Sequence, residues 1–403
     1  MDIVLVSQYL GNLEDKAVNN RFISIAKLAS KNDNINMEIV TSNFFHKSKR
    51  HFNSIVELSN IKITSIHEPG YKKNISYRRY LSHKKLAINI SNYLKKRKKP
   101  DLCICAVPSI DVAYLVGKYC KENGVKFIID IQDLWPEAFK MVLRVPILSD
   151  LLFLPISIKA KKVYSMADEI IGVSKTFVNR GLKFNKKKAK GEVLYIGYDL
   201  DLYDKTKTTL IKEKKELGEL WIIYVGSLSN SYDLNTAIKS VSYLKKNGYN
   251  NLKLLILGTG HLRERFETMA KKEEIDVIFT GHLSHDLMNG YLNNSDIALN
   301  PIKKGSAASI INKHANYSVA GLPVINSQEN IEYRDIIDNY NIGLNCNCED
   351  YFDMAEKLKI LIENKDLRIL MGRNNRKFAE KFFDRKKTYN KYLNLIKNYE
   401  KER

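Results

Sequence analysis

Residues 311–326 read INKHANYSVAGLPVIN, a polar helix-like segment followed by a glycine and a short apolar strand. Gly321 suits the end of a helix, and Pro323 suits the restart of the chain as a strand. The segment therefore predicts one helix-to-strand step of a layered α/β domain. It also places the amide of Asn316 on the side of the helix that we expect to be exposed.

The same step recurs along the whole chain. Apolar runs alternate with helical patterns, which is typical of βαβ units around a parallel sheet. In the first half, the predicted strands are 3–6, 37–41, 102–107, 126–131 and 169–174. In the second half, they are 221–226, 252–258, 277–281, 296–301 and 323–326. The sequence therefore predicts two doubly wound, Rossmann-like α/β domains.

The domain boundary is predicted where the chain loses apolar periodicity and gains charge, in segment 197–219. We expect a first domain at 1–205 and a second at 206–385, with a last helix, 386–403, that crosses back onto the first. A chain of 403 residues with 44% apolar content is long enough for two packed cores.

The cysteines and the first residues indicate an intracellular setting. Five cysteines, an odd number without a CxxC pair, argue against a disulfide framework and a structural zinc site. Cys103 and Cys105 alternate along a predicted strand and are expected to be buried. The chain begins with MDIVLV and lacks a leader pattern, so we expect a cytoplasmic protein.

The positive charge is concentrated in one sector. The formal net charge is +21, and residues 41–100 hold 15 Lys or Arg against 2 Asp or Glu. Such a concentration favours an anionic partner, either a phospholipid surface or nucleic acid, although a solvated lysine-rich face is the plainer interpretation.

The longest apolar stretch, 141–162, is expected to be interrupted rather than to span a membrane. It carries Arg144 and Asp150 and contains Pro146 and Pro155. Its leucine-rich face predicts either packing on the first sheet or contact with a bilayer interface.

Glycines and small residues follow several strands of the second half. In an open parallel sheet, ligands bind beyond the carboxyl ends of the strands. Backbone N–H groups at the start of a helix there bind phosphate oxygens. Gly226 and Ser227 follow one strand, and Gly258 and Gly260 follow the next. Segment 300–326 adds small residues before a helix and three lysines: Lys303, Lys304 and Lys313. These patterns predict a phosphate-binding edge.

Two polar segments follow strands of the first half. Gly11 and Asn12 come after the first strand, where a tight turn allows close approach of a second ligand. Gln132 and Asp133 precede Trp135 after another strand. A polar group beside an aromatic ring at a strand end predicts a site.

Taken in order, six segments resemble a GT-B glycosyltransferase of the retaining family-four group, which includes capsular, exopolysaccharide and lipopolysaccharide transferases. The resemblance covers essentially the whole chain. The segments are IIDIQDLWPEAF, ADEIIGVS, YVGSLS, ILGTGHLRERFE, FTGHLSHDLMNGYLNNSDIALNP and NKHANYSVAGLPVIN.

The resemblance implies two Rossmann-like domains that face a cleft, with a nucleotide diphosphate sugar held by the second and an acceptor held by the first. It implies a retaining reaction without a metal or other cofactor, in which amides and cations stabilise the diphosphate leaving group. The implied donor-binding residues are Gly226, Ser227, Gly258, Gly260, Gly281, His282, Ser309, Ile310 and Asn316. The implied catalytic residues are Asp133 and Lys313, and Gly11, Asn12 and Gln132 lie on the acceptor side.

The chain departs from the family pattern in three places. Ala308 and Asn316 replace two glutamates, the second of which normally takes the ribose hydroxyls. The basic pair after the YVG strand is missing, which moves phosphate neutralisation onto a lysine of segment 303–313. Gln132 stands where a histidine is frequent.

These observations favour a cytoplasmic glycosyltransferase, peripheral on the inner face of the cell membrane. It would transfer a hexosyl or N-acetylhexosaminyl group, with UDP-sugars favoured, to a polyprenyl-linked or glycan acceptor in surface polysaccharide assembly. A catalytically weakened partner subunit of another glycosyltransferase is the alternative. A sugar-nucleotide epimerase is less favoured, and nucleic-acid binding is not expected, because no RNA-binding signature accompanies Tyr77–Tyr80.

Overall fold

The structure is a computed structural model that describes residues 1–14, 20–54, 58, 61–74, 76–137, 146–306 and 309–401. The chain forms two compact units. Unit 1 comprises Met1–Tyr195 together with Tyr389–Arg403, and unit 2 comprises Ile196–Thr388.

Unit 1 is built on a parallel sheet with helices between its strands. Its strands are β1 (Asp2–Val6), β2 (Asn36–Ser42), β3 (Phe44–Phe45), β4 (Arg50–His51), β5 (Lys62–Ile66), β6 (Leu102–Val107), β7 (Lys126–Ile131), β8 (Glu169–Gly172) and β9 (Lys190–Val193). Its first helices are α1 (Arg21–Ala29), α2 (Tyr77–Lys96), α3 (Ile110–Asn123), α4 (Pro146–Met166) and α5 (Lys175–Leu182). Within the described residues, seven strands pair in the order β5-β2-β1-β6-β7-β8-β9, and β3 and β4 form a separate antiparallel ribbon.

Unit 2 repeats the architecture with its own sheet. Its strands are β10 (Leu220–Val225), β11 (Leu252–Leu257), β12 (Val277–Gly281), β13 (Ile297–Asn300), β14 (Val324–Asn326) and β15 (Gly343–Asn345), in the order β12-β11-β10-β13-β14-β15. Its helices are α6 (Leu200–Thr206), α7 (Leu234–Lys246), α8 (Arg263–Lys272), α9 (His285–Asn294), α10 (Asn312–Val319), α11 (Ile331–Asn339), α12 (Tyr351–Glu363) and α13 (Lys365–Phe378). A π-helical stretch, Ala379–Phe383, precedes α14 (Arg385–Lys401).

The central strands read as continuous apolar runs because helices cover both faces of each sheet. Every residue of β6, including Cys103 and Cys105, is buried. Several helices begin where a polar side chain caps their first turn: Ser174 accepts from the N–H of Phe177, and Asp199 accepts from that of Leu202. The prediction of two doubly wound α/β domains is confirmed.

The first segment of unit 1 ends at Tyr195, ten residues before the predicted boundary at 205. The reason is α6, which packs on α9 within unit 2. The hydroxyl of Tyr198 donates to Asn289 Oδ1 at 3.0 Å, and the Asn289 amide donates to Thr206 Oγ1 at 2.8 Å. At the other end, Tyr392 and Ile396 of α14 are fully buried in the core of unit 1.

The apolar stretch 141–162 corresponds in part to α4, and residues 141–145 lie outside the described residues. Pro146 occupies the first position of the helix, which its missing N–H permits. The predicted interruption at Pro155 is wrong, because α4 continues through it to Met166. Among the described residues, no helix has the length and apolar character needed to cross a bilayer.

Candidate functional site

Three glycines lie at the carboxyl ends of the neighbouring strands β10, β11 and β12 of unit 2. Gly226, Gly258 and Gly281 have φ angles of +153°, +141° and +75°, a range that favours glycine. A Cβ on Gly258 would lie 1.9 Å from the carbonyl oxygen of Gly226. The turns after β10 and β11 therefore touch backbone to backbone.

A second close approach joins the same two turns. A Cβ on Gly260 would lie 2.1 Å from the carbonyl oxygen of Leu228. The Leu228 N–H donates to the Thr259 carbonyl at 2.9 Å, and the Leu262 N–H donates to the Leu228 carbonyl at 3.2 Å. Gly258 and Gly260 thus allow the turns after β10 and β11 to pack against each other.

The amides of two of these glycines are already engaged. The N–H of Gly226 donates to the Leu257 carbonyl at 2.9 Å, and that of Gly258 donates to the Gly281 carbonyl at 2.9 Å. This corrects the expectation of a free amide at Gly226. The N–H of Gly226 is therefore engaged, while the next residue, Ser227, has an exposed side chain.

Tyr317 anchors helix α10 to the strands β10 and β13. The backbone N–H of Val225 donates to the Tyr317 hydroxyl, and that hydroxyl donates to the Leu299 carbonyl, both at 2.9 Å. Tyr317 is fully buried, so this pair of hydrogen bonds ties α10 to β10 and β13.

One turn earlier in α10, Lys313 points into the interior of unit 2. Its side-chain nitrogen lies 3.8 Å from the ring centroid of Tyr232 and 4.2 Å from that of Tyr224. It also lies 3.3 Å from the position that a Cβ on Gly226 would occupy. The amine is therefore directly beneath the Gly226 turn.

Lys313 is a buried amine whose hydrogen-bonding capacity is unused within the described part of the chain. The residue is 5% exposed, and burial lowers its pKa well below the ordinary value of 10.5. Leaving a buried donor unpaired is costly, and strongly perturbed groups concentrate at functional sites. An anion at the Gly226 turn would supply the missing partner and favour the protonated amine.

Further buried polar atoms cluster near the start of α10. Among the described residues, Ser309 Oγ and His314 Nε2 have no hydrogen-bond partner. His314 Nδ1 accepts from the Ile311 N–H at 3.3 Å, and its ring stacks on Tyr333 at 3.5 Å. Folded proteins rarely leave such atoms unpaired, so their clustering indicates a polar ligand site.

A row of asparagines, which sequence reasoning missed, supports this edge. The Asn300 amide donates to Asn326 Oδ1 and the Asn326 amide donates to Asn345 Oδ1, both at 2.7 Å. The amide of Gln328 then donates to the Ser309 carbonyl at 2.9 Å. An asparagine as the last residue of three strands was the available signal, and the row fixes the position of the chain before α10.

The remaining predicted donor residues lie around the same edge. Ile310 is buried and packs in the interior, while His282, next to Gly281, is exposed. Asn316 is half-buried rather than exposed, and its amide nitrogen lies 3.8 Å from the sulfur of Met288 in α9. Ala308 lies outside the described residues.

In unit 1, Asp133 lies beside Trp135 at the carboxyl end of β7. Its carboxylate accepts from the Leu134 N–H at 2.8 Å and from the Trp135 indole N–H at 3.3 Å. Burial raises the pKa of Asp133 above its usual range, although both hydrogen bonds oppose that shift. A half-buried carboxylate of this kind can accept a hydrogen bond from a hydroxyl group.

The three acceptor-side residues have different surroundings. Gln132 donates its amide to Asp130 Oδ1, which ties it to a buried ion pair instead of to the surface. Gly11 has a φ of +90° and is exposed, and Asn12 Oδ1 accepts from the Glu14 N–H at 3.3 Å.

A buried polar cluster above the sheet of unit 1 was also missed. Glu68, 1% exposed, accepts from the hydroxyls of Ser42 and Ser82 at 2.6 and 2.9 Å. The Gln8 amide lies 3.1 Å from both carboxylate oxygens. His83 stacks on Trp135 with ring centroids 5.7 Å apart, and burial lowers its pKa to about 3. The contributing residues are far apart in sequence and carry no spacing signal.

Among the described residues, no group of three or more His, Cys, Asp or Glu side chains could hold a metal ion.

Comparison with known proteins finds a family model that matches most of the second unit. Residues 206–378 match the family model of glycosyl transferases group 1. The glycine turns and α10 described above all lie within the matched range.

A curated relative from Campylobacter jejuni subsp. jejuni serotype O:2 is 25% identical over 175 residues, which cover 43% of this chain and 47% of the relative. It is named GalNAc-alpha-(1->4)-GalNAc-alpha-(1->3)-diNAcBac-PP-undecaprenol alpha-1,4-N-acetyl-D-galactosaminyltransferase. The chain spans between 47% and 60% of the length of the curated relatives it matches.

Solved structures match over both units. Sucrose-phosphate synthase from Thermosynechococcus elongatus superposes with a TM-score of 0.75 at 14% identity and covers 100% of each chain. Anabaena Alr3699/HepE in complex with UDP has a TM-score of 0.68 at 12% identity and covers 99% of this chain and 100% of that one. The fold of the chain is that of GT-B glycosyltransferases.

Proposed function

We propose that this chain is a retaining, metal-independent glycosyltransferase that transfers a sugar from a nucleotide diphosphate sugar to a lipid-linked or glycan acceptor. The observation that carries the proposal is the amine of Lys313, buried beneath the glycine turn at Gly226 within the range that matches the glycosyl transferases group 1 model.

In this proposal, the diphosphate of the donor lies at the Gly226 turn. The Tyr224 hydroxyl and the Lys313 amine lie 2.8 and 3.3 Å from the position that a Cβ on Gly226 would occupy, so a phosphate oxygen bound at this turn would be close to the amine. As the bond to the sugar breaks, negative charge grows on the diphosphate. A cation fixed in a water-poor interior stabilises that charge without having to reorganise.

Asp133 is proposed to act on the acceptor side. Its carboxylate is oriented by the indole N–H of Trp135 and by the N–H of Leu134. A carboxylate held in this way can orient an acceptor hydroxyl and accept its hydrogen bond. The departing diphosphate can take the proton, so Asp133 is assigned positioning of the acceptor.

The names of similar proteins support the proposed substrate classes. One structural neighbour is named as a complex with UDP, which favours a UDP-sugar. The Campylobacter relative is named for transfer to a glycan on undecaprenyl diphosphate, which favours a polyprenyl-linked acceptor in surface polysaccharide assembly. A hexosyl or N-acetylhexosaminyl group is the proposed transferred sugar.

We also propose that the protein works at the inner face of the cell membrane. Residues 41–100 hold 15 basic and 2 acidic side chains, and a basic side chain near an anionic leaflet contributes about 1 kcal/mol. Lipid-linked acceptors are presented at that surface.

The first test is ligand binding and transfer by the full chain. UDP is expected to raise the melting temperature more than UMP, because only UDP carries the diphosphate that reaches Lys313. A ligand at 100 times its Kd stabilises the native state by about 2.7 kcal/mol. A UDP-sugar incubated with a polyprenyl diphosphate glycan is expected to give a product with the donor's anomeric configuration, measured by NMR, at an unchanged rate in EDTA.

Three outcomes would count against the proposal. Equal stabilisation by UMP and UDP would indicate that the diphosphate does not bind at the Gly226 turn. An inverted anomeric centre would exclude a retaining reaction, and loss of the rate in EDTA would exclude metal independence.

Asn316 tests the ribose assignment. We expect Asn316→Ala to weaken donor binding by roughly tenfold, since one hydrogen bond contributes about 1 kcal/mol and a stranded partner costs more. Asn316→Glu is expected to bind at least as tightly as the original chain, because a carboxylate accepts a stronger bond from the ribose hydroxyls. Isothermal titration with UDP measures both variants. Equal UDP affinity in all three proteins would indicate that Asn316 does not contact the ribose.

The alternative function is a non-catalytic partner subunit, favoured by the amide at Asn316 in place of the family's glutamate. It would bind nucleotide without turnover and associate stably with another glycosyltransferase. Transfer by the purified chain alone would exclude it.

A further inference from the structure

Unit 2 contains a groove of about 650 Å³ at the edge of its sheet that is opposite the glycine turns. Ser295 and Asp296 line the groove and directly precede β13, and Leu322 and Pro323 line it and directly precede β14. The groove therefore lies at the amino ends of parallel strands, whereas the glycine turns lie at the carboxyl ends of their neighbours. A volume of this size is within the range of small-molecule sites.

Helix α13 forms one wall of the groove and packs directly on the turn between α10 and β14. A Cβ on Gly372 of α13 would lie 2.3 Å from the carbonyl oxygen of Gly321 in that turn. Arg376, one turn later in α13, donates to the Val319 carbonyl at the end of α10 at 2.9 Å. Backbone contact and this hydrogen bond therefore hold the wall in place.

The groove carries more cations than carboxylates. The charged lining residues are Lys207, Arg368, Arg373 and Arg376 against Asp204 and Asp296. Asp204 pairs with Lys207 at 3.0 Å and with Arg376 at 2.7 Å. Asp296 pairs at 2.5 Å with Lys215, which does not line the groove. Both carboxylates thus already have cationic partners.

The other two lining cations, Arg368 and Arg373, form no ion pair with a carboxylate of the described residues. Nη1 of Arg368 donates to the Leu361 and Ile362 carbonyls at 2.6 and 3.3 Å, which leaves Nε and Nη2 unused within the same part of the chain. Arg373 is exposed and makes no hydrogen bond to another described residue. A guanidinium group presents a fork of N–H donors that matches the oxygens of a phosphate group.

The wall of the groove also contains a buried hydroxyl. Tyr203 of α6 lines the groove and is 2% exposed, and its hydroxyl has no hydrogen-bond partner among the described residues. Burial raises the pKa of Tyr203 above its ordinary value of 10.0, so the phenol keeps its proton at neutral pH. Folded proteins rarely leave such a donor unpaired, and a ligand oxygen in the groove would supply the partner.

We propose that this groove binds a small phosphorylated molecule, with its phosphate on Arg368 and Arg373 and a hydrogen bond from the hydroxyl of Tyr203. This second site goes beyond the proposed function. Lys313 lies in the first turn of α10 and Val319 at its end, and the six residues between these positions span about 9 Å of helix. A ligand in the groove would therefore not take the place of the donor.

An acidic segment of another protein is the competing occupant, because carboxylates also bind guanidinium groups. A phosphate group fits better, since its three terminal oxygens can accept from two guanidinium forks and from one hydroxyl. A carboxylate has only two oxygens for the same donors. A neutral sugar would give the two arginines no anion to neutralise.

The test is titration calorimetry of the full chain with inorganic pyrophosphate in the presence of saturating UDP, which occupies the proposed donor site. We expect pyrophosphate to bind under these conditions. Arg368→Gln and Arg373→Gln are each expected to weaken that binding by roughly tenfold or more, because each removes charge-assisted hydrogen bonds. Tyr203→Phe is expected to weaken it by roughly fivefold without lowering the melting temperature, since it removes a buried donor that has no partner.

The same helix offers matched controls. Lys365 and Lys377 are exposed on α13 but do not line the groove. Lys365→Gln and Lys377→Gln remove the same charge and are expected to bind pyrophosphate like the original chain. Circular dichroism and thermal unfolding of all five variants identify any that fail to fold.

Three results would overturn the second site. Equal losses in the lysine and arginine variants would indicate general attraction of anions to α13. Pyrophosphate binding that UDP abolishes and that both arginine variants retain would place pyrophosphate at the Gly226 turn alone. A hexa-aspartate peptide that binds more tightly than pyrophosphate, with the same dependence on Arg368 and Arg373, would make the groove a docking surface for an acidic protein segment.

The outcome for this groove is separable from that for the proposed function. A chain that binds UDP but shows no pyrophosphate binding in its presence would overturn the second site alone. A chain that binds pyrophosphate through Arg368 and Arg373 but binds no nucleotide would overturn the proposed function and support the second site.

Discussion

Lys313→Met is expected to make the protein more stable while lowering kcat/KM for the donor by about 10²–10³-fold. Methionine fills a similar volume without a polar atom, so it removes a buried amine that lacks a hydrogen-bond partner in the described part of the chain. The expected gain in the free energy of unfolding is about 1–3 kcal/mol. The expected loss of activity is that of removing one fixed charge-stabilising group.

The stability gain should depend on pH in a defined direction. Burial holds the pKa of Lys313 below its ordinary value of 10.5, so the unfolded chain binds more protons than the folded chain between the two values. The stability of the original chain therefore rises with pH across that window. The advantage of Lys313→Met is expected to be larger at pH 7 than at pH 10, as measured by urea unfolding of both proteins.

Lys304→Met is the matched control, because Lys304 precedes the same helix but is exposed. We expect no change in its unfolding free energy beyond about 0.5 kcal/mol and at most a several-fold change in kcat/KM. Loss of stability in Lys313→Met would mean that the amine has a stabilising partner. Equal activity losses in both variants would place the phosphate charge in the 303–306 loop instead.

Strand prediction from sequence succeeded for the central strands and for the edge strand β12, but it failed for the other three edge strands. The strands of the two sheet centres, such as β6 and β10, are continuous apolar runs. Three edge strands lack that signal: β5 reads KITSI, β9 reads KGEV, and β15 reads GLN. Edge strands face solvent on one side and are short, so polar residues and glycine are tolerated there.

The candidate site was predictable to the extent that it is local in sequence. The glycines after β10 and β11 and the lysine of α10 each follow a strand or a small-residue run, so their spacing identified them. The engagement of the Gly226 amide was not predictable, because it depends on the register of β10 and β11. The Asn300, Asn326 and Asn345 row likewise exists only once three strands lie side by side.

Gln132, which the resemblance places on the acceptor side, makes a supporting contact within unit 1. Its amide donates to Asp130, which is 0% exposed and paired with Arg21 of α1 at 3.0 Å. Arg21 also donates to the Leu194 and Tyr195 carbonyls at 2.8 and 3.1 Å. The ion pair therefore connects α1 and β7 to Leu194 and Tyr195, where the first segment of unit 1 ends.

Arg21→Met is expected to lower the free energy of unfolding of unit 1 by about 3–5 kcal/mol, the largest stability loss that we predict. The change leaves the carboxylate of Asp130 in the interior without its cation, and breaking one side of a buried pair has this cost. It also strands the Leu194 and Tyr195 carbonyls, which accept from the guanidinium. Urea unfolding followed by circular dichroism measures the loss.

The double variant Arg21→Met with Asp130→Leu decides whether the loss comes from the stranded charge. Replacing both members of a buried pair by apolar groups is often neutral or stabilising, so the double variant is expected to recover much of the lost stability. Calorimetric UDP binding, which the proposal assigns to unit 2, should stay unchanged in both proteins. A double variant as unstable as Arg21→Met would show that the loss comes from the two stranded carbonyls. The main role of Arg21 would then be to hold Leu194 and Tyr195 in place.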